Sequence, residues 1–324
     1  MGKKTAFKSF VSKEDLETAA AYISSPNEFV RAMDVAINGK LRHLITYTPS
    51  KNGHALRILH KRFAAFLQAR HCQAISSYAY AKNKNIIMCV EQHLYSTVFL
   101  KTDIHAYFDS LAFERMLSKF REMNFAKKDL KNIELVVKAC FYQNSLPIGF
   151  VSSPVISDLF LTTLDHEYEK IEGIVYTRYA DDFIISTSGD DAMKRLSDFL
   201  LKLERDLKDL GLVLNGKKTY TRSLLAPGDA IHVLGLNLVR TEVAANRITV
   251  SDRYIRATCK DVCAWIEGVD RGPAPEKTFA KLYGKISFIQ QCSSSSFEKL
   301  KKMTKIKCGY SGSWNDQDLF AIGM

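Results

Sequence analysis

The 324 residues carry 46 Lys and Arg against 35 Asp and Glu, a net charge of +11, with 46% hydrophobic and 25% charged residues. This composition excludes a disordered chain, a collagen-like repeat and a disulfide-dense miniprotein, and the length predicts two or three lobes. No stretch approaches the roughly 18 uncharged apolar residues of a membrane span, and Ser12-Lys13-Glu14-Asp15 stands where a signal core would be apolar, so a cytoplasmic protein without membrane contact is expected.

In chain order, residues 14–23 and 26–37 have helical spacing, the second ended by Asn38-Gly39 as a C-cap. Residues 44–48, the turn 49–53 and the short run 56–59 read as a β-hairpin, followed by a basic amphipathic helix over 60–72. An apolar strand over 98–103 leads to a helix over 111–123, and helices are expected at 134–142 and 153–169. Two apolar β runs within 173–186 enclose an acidic turn. Leu196, Phe199, Leu200, Leu203, Leu207 and Leu210 then repeat at three- and four-residue intervals, marking one face of a helix over 191–210. Strands are expected near 212–214, 231–239 and 247–250, and a helical tail is interrupted by linkers at 272–275 and 293–296. Strand, helix, hairpin, helix, strand in the centre predicts a ferredoxin-like α+β layout, a scaffold that hosts many functions.

Charge is uneven along the chain: 14 basic against 6 acidic side chains over 1–97, 20 against 21 over 98–250, and 12 against 8 over 251–324. Basic flanks around an acid-bearing centre suit a protein that grips a polyanion and works on it with metal ions; an arbitrary surplus of lysine is the alternative. The seven cysteines form no C-x-x-C, so neither a disulfide framework nor a zinc ribbon is indicated, and Cys259 and Cys263, one helical turn apart, are expected to be buried.

Asp181 and Asp182 lie between Val175-Tyr176-Thr177 and Phe183-Ile184-Ile185, which places two acids at a hairpin tip where they repel unless a cation holds them. Asp103 ends the apolar strand over 98–103, and pairing of the two segments would bring it beside that tip. Three carboxylates so placed suit two divalent ions about 3.5–4 Å apart, one activating a 3′-hydroxyl and both bridging nucleotide phosphates. Taken alone, Asp-Asp at a hairpin tip is also ordinary turn chemistry.

Over residues 42–240 an ordered set of motifs resembles the reverse transcriptases: Leu44 to Arg57 the fingers hairpin, Lys101 to Leu111 the first palm motif, Leu146-Pro147-Ile148-Gly149-Phe150-Val151-Ser152-Ser153-Pro154 the template and nucleotide loop, Tyr179-Ala180-Asp181-Asp182 the Y-x-D-D box, Gly211 to Thr219 the lysine motif and His232 to Leu236 the primer grip. The resemblance implies a right-hand polymerase with fingers over 1–97, a catalytic palm over 98–250 and a helical thumb over 251–324. It implies catalysis by Asp103, Asp181 and Asp182, with Lys218 donating a proton to pyrophosphate. Two Mg²⁺ ions, with Mn²⁺ as an alternative, would be held by Asp103, Ile104, Asp181 and Asp182. Lys51 and Arg57 would hold the triphosphate, Gly149 and Ser152 would let backbone approach the nucleotide, and Phe108 would exclude the ribose 2′-hydroxyl unless adjacent Tyr107 faces the site instead. The implied partners are dNTPs, a noncoding RNA template, the RNA–DNA hybrid, and an effector protein or a second copy of the chain.

In size the chain resembles retron and related defence-associated bacterial enzymes. It departs from the retron pattern at Cys89-Val90-Glu91-Gln92-His93, at Val233-Leu234-Gly235 and at Ile148, where a Gln is expected. The expectation is therefore a non-retron antiphage enzyme copying a partner noncoding RNA, with a true retron enzyme as runner-up and an RNA-binding protein with a retired polymerase site as the competing class.

Overall fold

The computed structural model describes residue 7 and residues 10–37, 39–123, 125–243, 245–269 and 275–323. Asn38 and most of the expected linker at 272–275 lie outside these residues. Helix α1 (Lys13–Ser24) starts at a capping box in which Ser12 and Asp15 satisfy each other's backbone N–H groups. The expected helix over 26–37 is instead a short 3₁₀ turn and a strand: β1 (Val30–Ile37) pairs antiparallel with β2 (Lys40–Tyr47), with Ile37 opposite Lys40. Asn-Gly is as strong a signal for a two-residue hairpin as for a helix stop, and Gly39 has the required positive φ, 74°.

Helix α2 (Lys51–Arg70) begins a full nine residues before the expected start. Ser50 caps it by accepting the Gly53 N–H at 3.1 Å, and Leu56, Leu59, Phe63 and Leu67 form its buried stripe. Helix α3 (Ile86–Glu91) precedes β3 (Val98–Asp103), after which come α4 (Tyr107–Ser110), α5 (Phe113–Glu122), α6 (Leu130–Ala139) and α7 (Ser153–Tyr168). The hairpin of β4 (Val175–Tyr179) and β5 (Asp182–Thr187) leads into α8 (Ala192–Asp209), which buries the Leu196, Phe199, Leu203 and Leu207 stripe at about 1.5–3 kcal/mol per side chain. Residues 212–214 form only an isolated bridge, Leu214 with Ile104, and the strand that follows is β6 (Tyr220–Ser223).

The expected strand over 231–239 is two strands, β7 (Ala230–Val233) and β8 (Leu236–Val239), turned at Leu234-Gly235 with positive φ at both; β8 also pairs with β9 (Arg247–Val250). The tail is α9 (Asp252–Ile266), α10 (Pro275–Cys292), α11 (Ser294–Cys308) and α12 (Asp316–Gly323). Residues 293–296 are no linker, because Ser293 caps α11 by accepting the Ser296 N–H.

The central sheet has the order β4-β5-β3-β6. Counting its strands along the chain, that is 2-3-1-4, the ferredoxin-like arrangement, and the α+β class follows from it. Packing divides the chain into two units, residues 1–85, 100–185 and 191–220 in the first and 86–99, 186–190 and 221–324 in the second. In the first, α1 packs on α2 and α6. In the second, α9 packs on α10 and α11, Trp265 donates to the Leu319 carbonyl at 2.9 Å, and Cys259 and Cys263 are buried in the helical core.

Candidate active site

The site lies in the first unit, where β3 ends and the β4–β5 hairpin turns. The tip is made by Ala180 at φ 58°, and the Ile104 N–H donates to the Asp181 carbonyl at 3.1 Å, docking the tip against the end of β3. On the other side, the Asn215 N–H donates to the Asp103 carbonyl and the His105 N–H to the Val213 carbonyl, each at 2.8 Å. A turn closed by Lys218 N–H on the Asn215 carbonyl then swings the Lys218 ammonium onto Asp103 Oδ2. Asp103, Asp181, Asp182 and Lys218 are thereby gathered around one cavity of about 530 Å³.

Burial and mutual repulsion govern the electrostatics of this cluster. Burial raises the pKa of Asp181, with Asp103 pushing the same way; burial likewise raises that of Asp182, with Asp181 and Asp103 adding to it against the pull of Lys101. Asp103 Oδ1 is buried with no hydrogen-bond partner. Its Oδ2 bond raises the Lys218 pKa, which keeps that ammonium charged. Among the described residues, no three Asp, Glu, His or Cys side chains are drawn onto one point, and Lys218 is the cation at Asp103. The donors nevertheless fit a hard divalent ion: carboxylate oxygens, one of them orphaned, in a polar cavity. Ile104 also lines the cavity and is 2% exposed; with an apolar side chain, its carbonyl oxygen is the one group it has to offer an ion.

Phe108, half-buried, and Tyr107, buried, both line the cavity, and the Tyr107 hydroxyl donates to the Ser157 carbonyl at 2.6 Å. Gly149 lines the cavity too, but its missing Cβ serves a different contact from the one expected: a Cβ would stand 2.4 Å from the Ile45 carbonyl, because the Ile45 N–H clamps the loop through the Ile148 carbonyl at 2.9 Å. Ser152 does not line the cavity. It is buried beside Cys140, and Ser153 takes its place, its hydroxyl donating to the Pro147 carbonyl.

Lys51 and Arg57 do not line the cavity either. Because Ser50 starts α2, they sit exposed on that helix and not on a hairpin; the basic side chain that reaches the cavity from the β1–β2 hairpin is Arg42, whose charge lowers the pKa of Asp181. Its signal in the sequence was the Asn38-Gly39 turn, which makes residue 42 a hairpin position. Tyr80 is a second lining residue that the sequence did not single out, held at φ 59°.

Two buried networks position these parts. On β4, the fully buried Arg178 bonds Asp158 at 2.8 Å and Asp165 at 2.5 and 2.8 Å, both on α7, and its remaining amino group donates to the Ala180 carbonyl at 3.0 Å. His71 and Ser77 also bond Asp158, so that its pKa falls below the usual carboxylate range in spite of burial. The backbone of the acidic tip is therefore held by a salt-bridged guanidinium.

The second network runs from the Val151 N–H to the Tyr47 hydroxyl at 3.0 Å, from that hydroxyl to His60 Nδ1 at 2.8 Å, and from His60 Nε2–H to the Ala139 carbonyl at 2.9 Å. It ties the Leu146–Ser153 loop to β2, α2 and α6, and it requires a neutral imidazole. Burial pushes the His60 pKa down from 6.5 to about 4. The unfolded chain therefore takes up a proton that the native fold refuses, so this stability is complete above pH 6.5 and is lost as pH falls toward 4. The His60→Gln variant is expected to remove about 1.4 kcal/mol per pH unit from the slope in that window, measured by urea unfolding at several pH values. The slope will not vanish, since burial also depresses His93, to about 3.

Residues 21–238 match the family model described as "Reverse transcriptase (RNA-dependent DNA polymerase)". The chain belongs to the reverse transcriptase family. Such enzymes use divalent metal ions, in keeping with the carboxylate cluster. This reverse transcriptase is 27% identical to the retron Ec86 reverse transcriptase of Escherichia coli over 69% of its own length, and 32% identical to the retron Ec73 reverse transcriptase of the same organism over 50%. It spans 65% and 55% of those two proteins. The structure of telomerase from Candida albicans in complex with a telomeric RNA fragment superposes with a TM-score of 0.51 at 11% identity, covering 95% of this chain and 67% of that one, a likeness of fold.

Proposed function

We propose that this protein is an RNA-directed DNA polymerase that copies a partner noncoding RNA in antiphage defence in the cytoplasm, with fingers over 1–97, palm over 98–250 and thumb over 251–324. The observation that carries the polymerase reading is the convergence of Asp103, Asp181, Asp182 and Lys218 on one cavity. A retired site has no physical reason to keep buried, mutually repelling carboxylates.

Asp103, Asp181, Asp182 and the Ile104 carbonyl would hold two Mg²⁺ ions, which supply activation of the primer 3′-hydroxyl and neutralisation of the triphosphate. Lys218 arrives protonated and stands ready to give its proton to the leaving pyrophosphate. Arg42 offers a guanidinium to phosphate oxygens. Phe108 fills the space a 2′-hydroxyl would need.

Extension of a DNA primer on an RNA template with dNTPs and Mg²⁺ tests the reading; a folded wild type that extends nothing on any primer would overturn it. In the same assay Phe108→Ala is expected to raise ribonucleotide incorporation about ten- to a hundredfold, because a single lost steric contact changes discrimination by about 1–3 kcal/mol. An effect confined to Tyr107→Ala would place the wrong ring at the sugar.

The likeness to the two retron enzymes favours a second reading, a true retron enzyme making RNA-linked single-stranded DNA. Sequencing the nucleic acid that copurifies decides between them: covalent RNA–DNA identifies the retron enzyme, and unlinked complementary DNA the other. An effector protein or homo-oligomer would copurify in the same preparation.

A further inference from the structure

A second pocket of about 470 Å³ in the first unit shares no lining residue with the catalytic cavity. Its apolar walls are Phe113, Phe141 and the half-buried ring of Tyr142. Three carboxamides, from Asn27, Gln143 and Asn144, stand at its exposed rim beside the Lys138 ammonium. The size falls in the range of about 300–1,000 Å³ typical of small-molecule sites.

The rim is built with effort. The Tyr142 and Ser145 backbones exchange hydrogen bonds at 3.0 Å in both directions, closing a tight turn whose central residues Gln143 and Asn144 have φ of 48° and 66°. Glycine is the residue that suits such positions, and Gln in particular is strained there. What the two side chains add is a pair of exposed amides beside an aromatic face, each able to donate and to accept.

We propose that this pocket binds an unpaired nucleobase of single-stranded RNA, stacked on Tyr142, read along its edge by the rim amides and followed by its phosphate to Lys138. Aromatic faces, amides and a cation together match how proteins hold splayed-out RNA bases. The basic excess over residues 1–97, 14 against 6, supplies the attraction for the strand. Five residues of chain, at most about 18 Å, separate Gln143 from Ile148 at the catalytic cavity, so a template strand entering that cavity passes within a few nucleotides of the pocket. The inference rests on the reading of the chain as a polymerase that copies RNA.

The test uses the full chain and two RNA–DNA primer duplexes, one with a one-base template overhang and one with a long single-stranded RNA overhang carrying 4-thiouridine. The long overhang is expected to tighten binding, and Tyr142→Ala to cancel that gain by about five- to a hundredfold while leaving affinity for the one-base duplex unchanged. Gln143→Gly with Asn144→Gly keeps the turn's backbone and should lose much of the same gain, which guards against misfolding of the tyrosine variant. Photocrosslinks should map to the peptide containing Phe141 and Tyr142. Wild-type affinity for the long overhang in both variants, or crosslinks mapping elsewhere, overturns the proposal. Absence of primer extension by the wild type would instead overturn the polymerase reading, with crosslinking and binding still deciding the pocket.

Discussion

Replacing Asp181 and Asp182 together by Asn is expected to lower Mg²⁺-dependent primer extension by about a thousandfold, since a metal clamp supplies several kcal/mol of transition-state charge stabilisation and each 1.36 kcal/mol is tenfold. The same change should make the metal-free protein more stable. Both carboxylates have raised pKa values, burial first and neighbouring acids second, so the native fold holds protons more tightly than the unfolded chain. Stability therefore falls as pH rises from the ordinary carboxylate range through the raised values, and the cost persists at neutral pH. Asn at both positions removes it. Mg²⁺ should raise the wild-type melting midpoint at neutral pH and leave that of the double variant in place. Full activity in the folded double variant, or equal stabilisation of both proteins by Mg²⁺, would remove these aspartates from the metal site.

Arg178→Leu should be the most damaging single change in the first unit. It leaves Asp158 and Asp165, both buried, without their shared guanidinium, which costs about 3–5 kcal/mol, and it strips the Ala180 carbonyl of its donor at the acidic tip. At about 2–4 °C per kcal/mol the melting midpoint should drop by about 10 °C. Adding Asp158→Asn and Asp165→Asn to Arg178→Leu should restore much of the stability, because the uncompensated charges go, but not the extension rate, because the tip remains untethered. Recovery of both would mean that the network supports the fold alone and has no hold on the Asp181–Asp182 backbone.

Local patterning carried much of this molecule. The apolar run of β3, the three- and four-residue stripe of α8, the acidic hairpin at Asp181 and Asp182, though Asp182 already belongs to β5, and the order of the motifs could all be read in one dimension, because each depends on neighbours within a few residues. The reading broke where two local signals were equal and a distant partner chose between them. Residues 26–37 satisfy a helical spacing, yet β2 pairs with Val30–Ile37 and makes a strand of them, and this moved the hairpin's cation from Lys51 and Arg57 to Arg42.

Burial drew the other line. Phe108 and Tyr107 are equivalent in sequence and both line the cavity, and only the Ser157 carbonyl, fifty residues along, ties down the Tyr107 hydroxyl and leaves the Phe108 ring without such an anchor. Arg178 looks like a stray charge in an apolar strand until α7 brings two aspartates to it. Nothing near residue 60 marks His60 as the centre of a chain of hydrogen bonds from Val151 to Ala139. Periodicity and turn chemistry are properties of short segments, so the sequence states them outright, whereas a buried charge or a polar relay exists only when separate segments meet and exclude water.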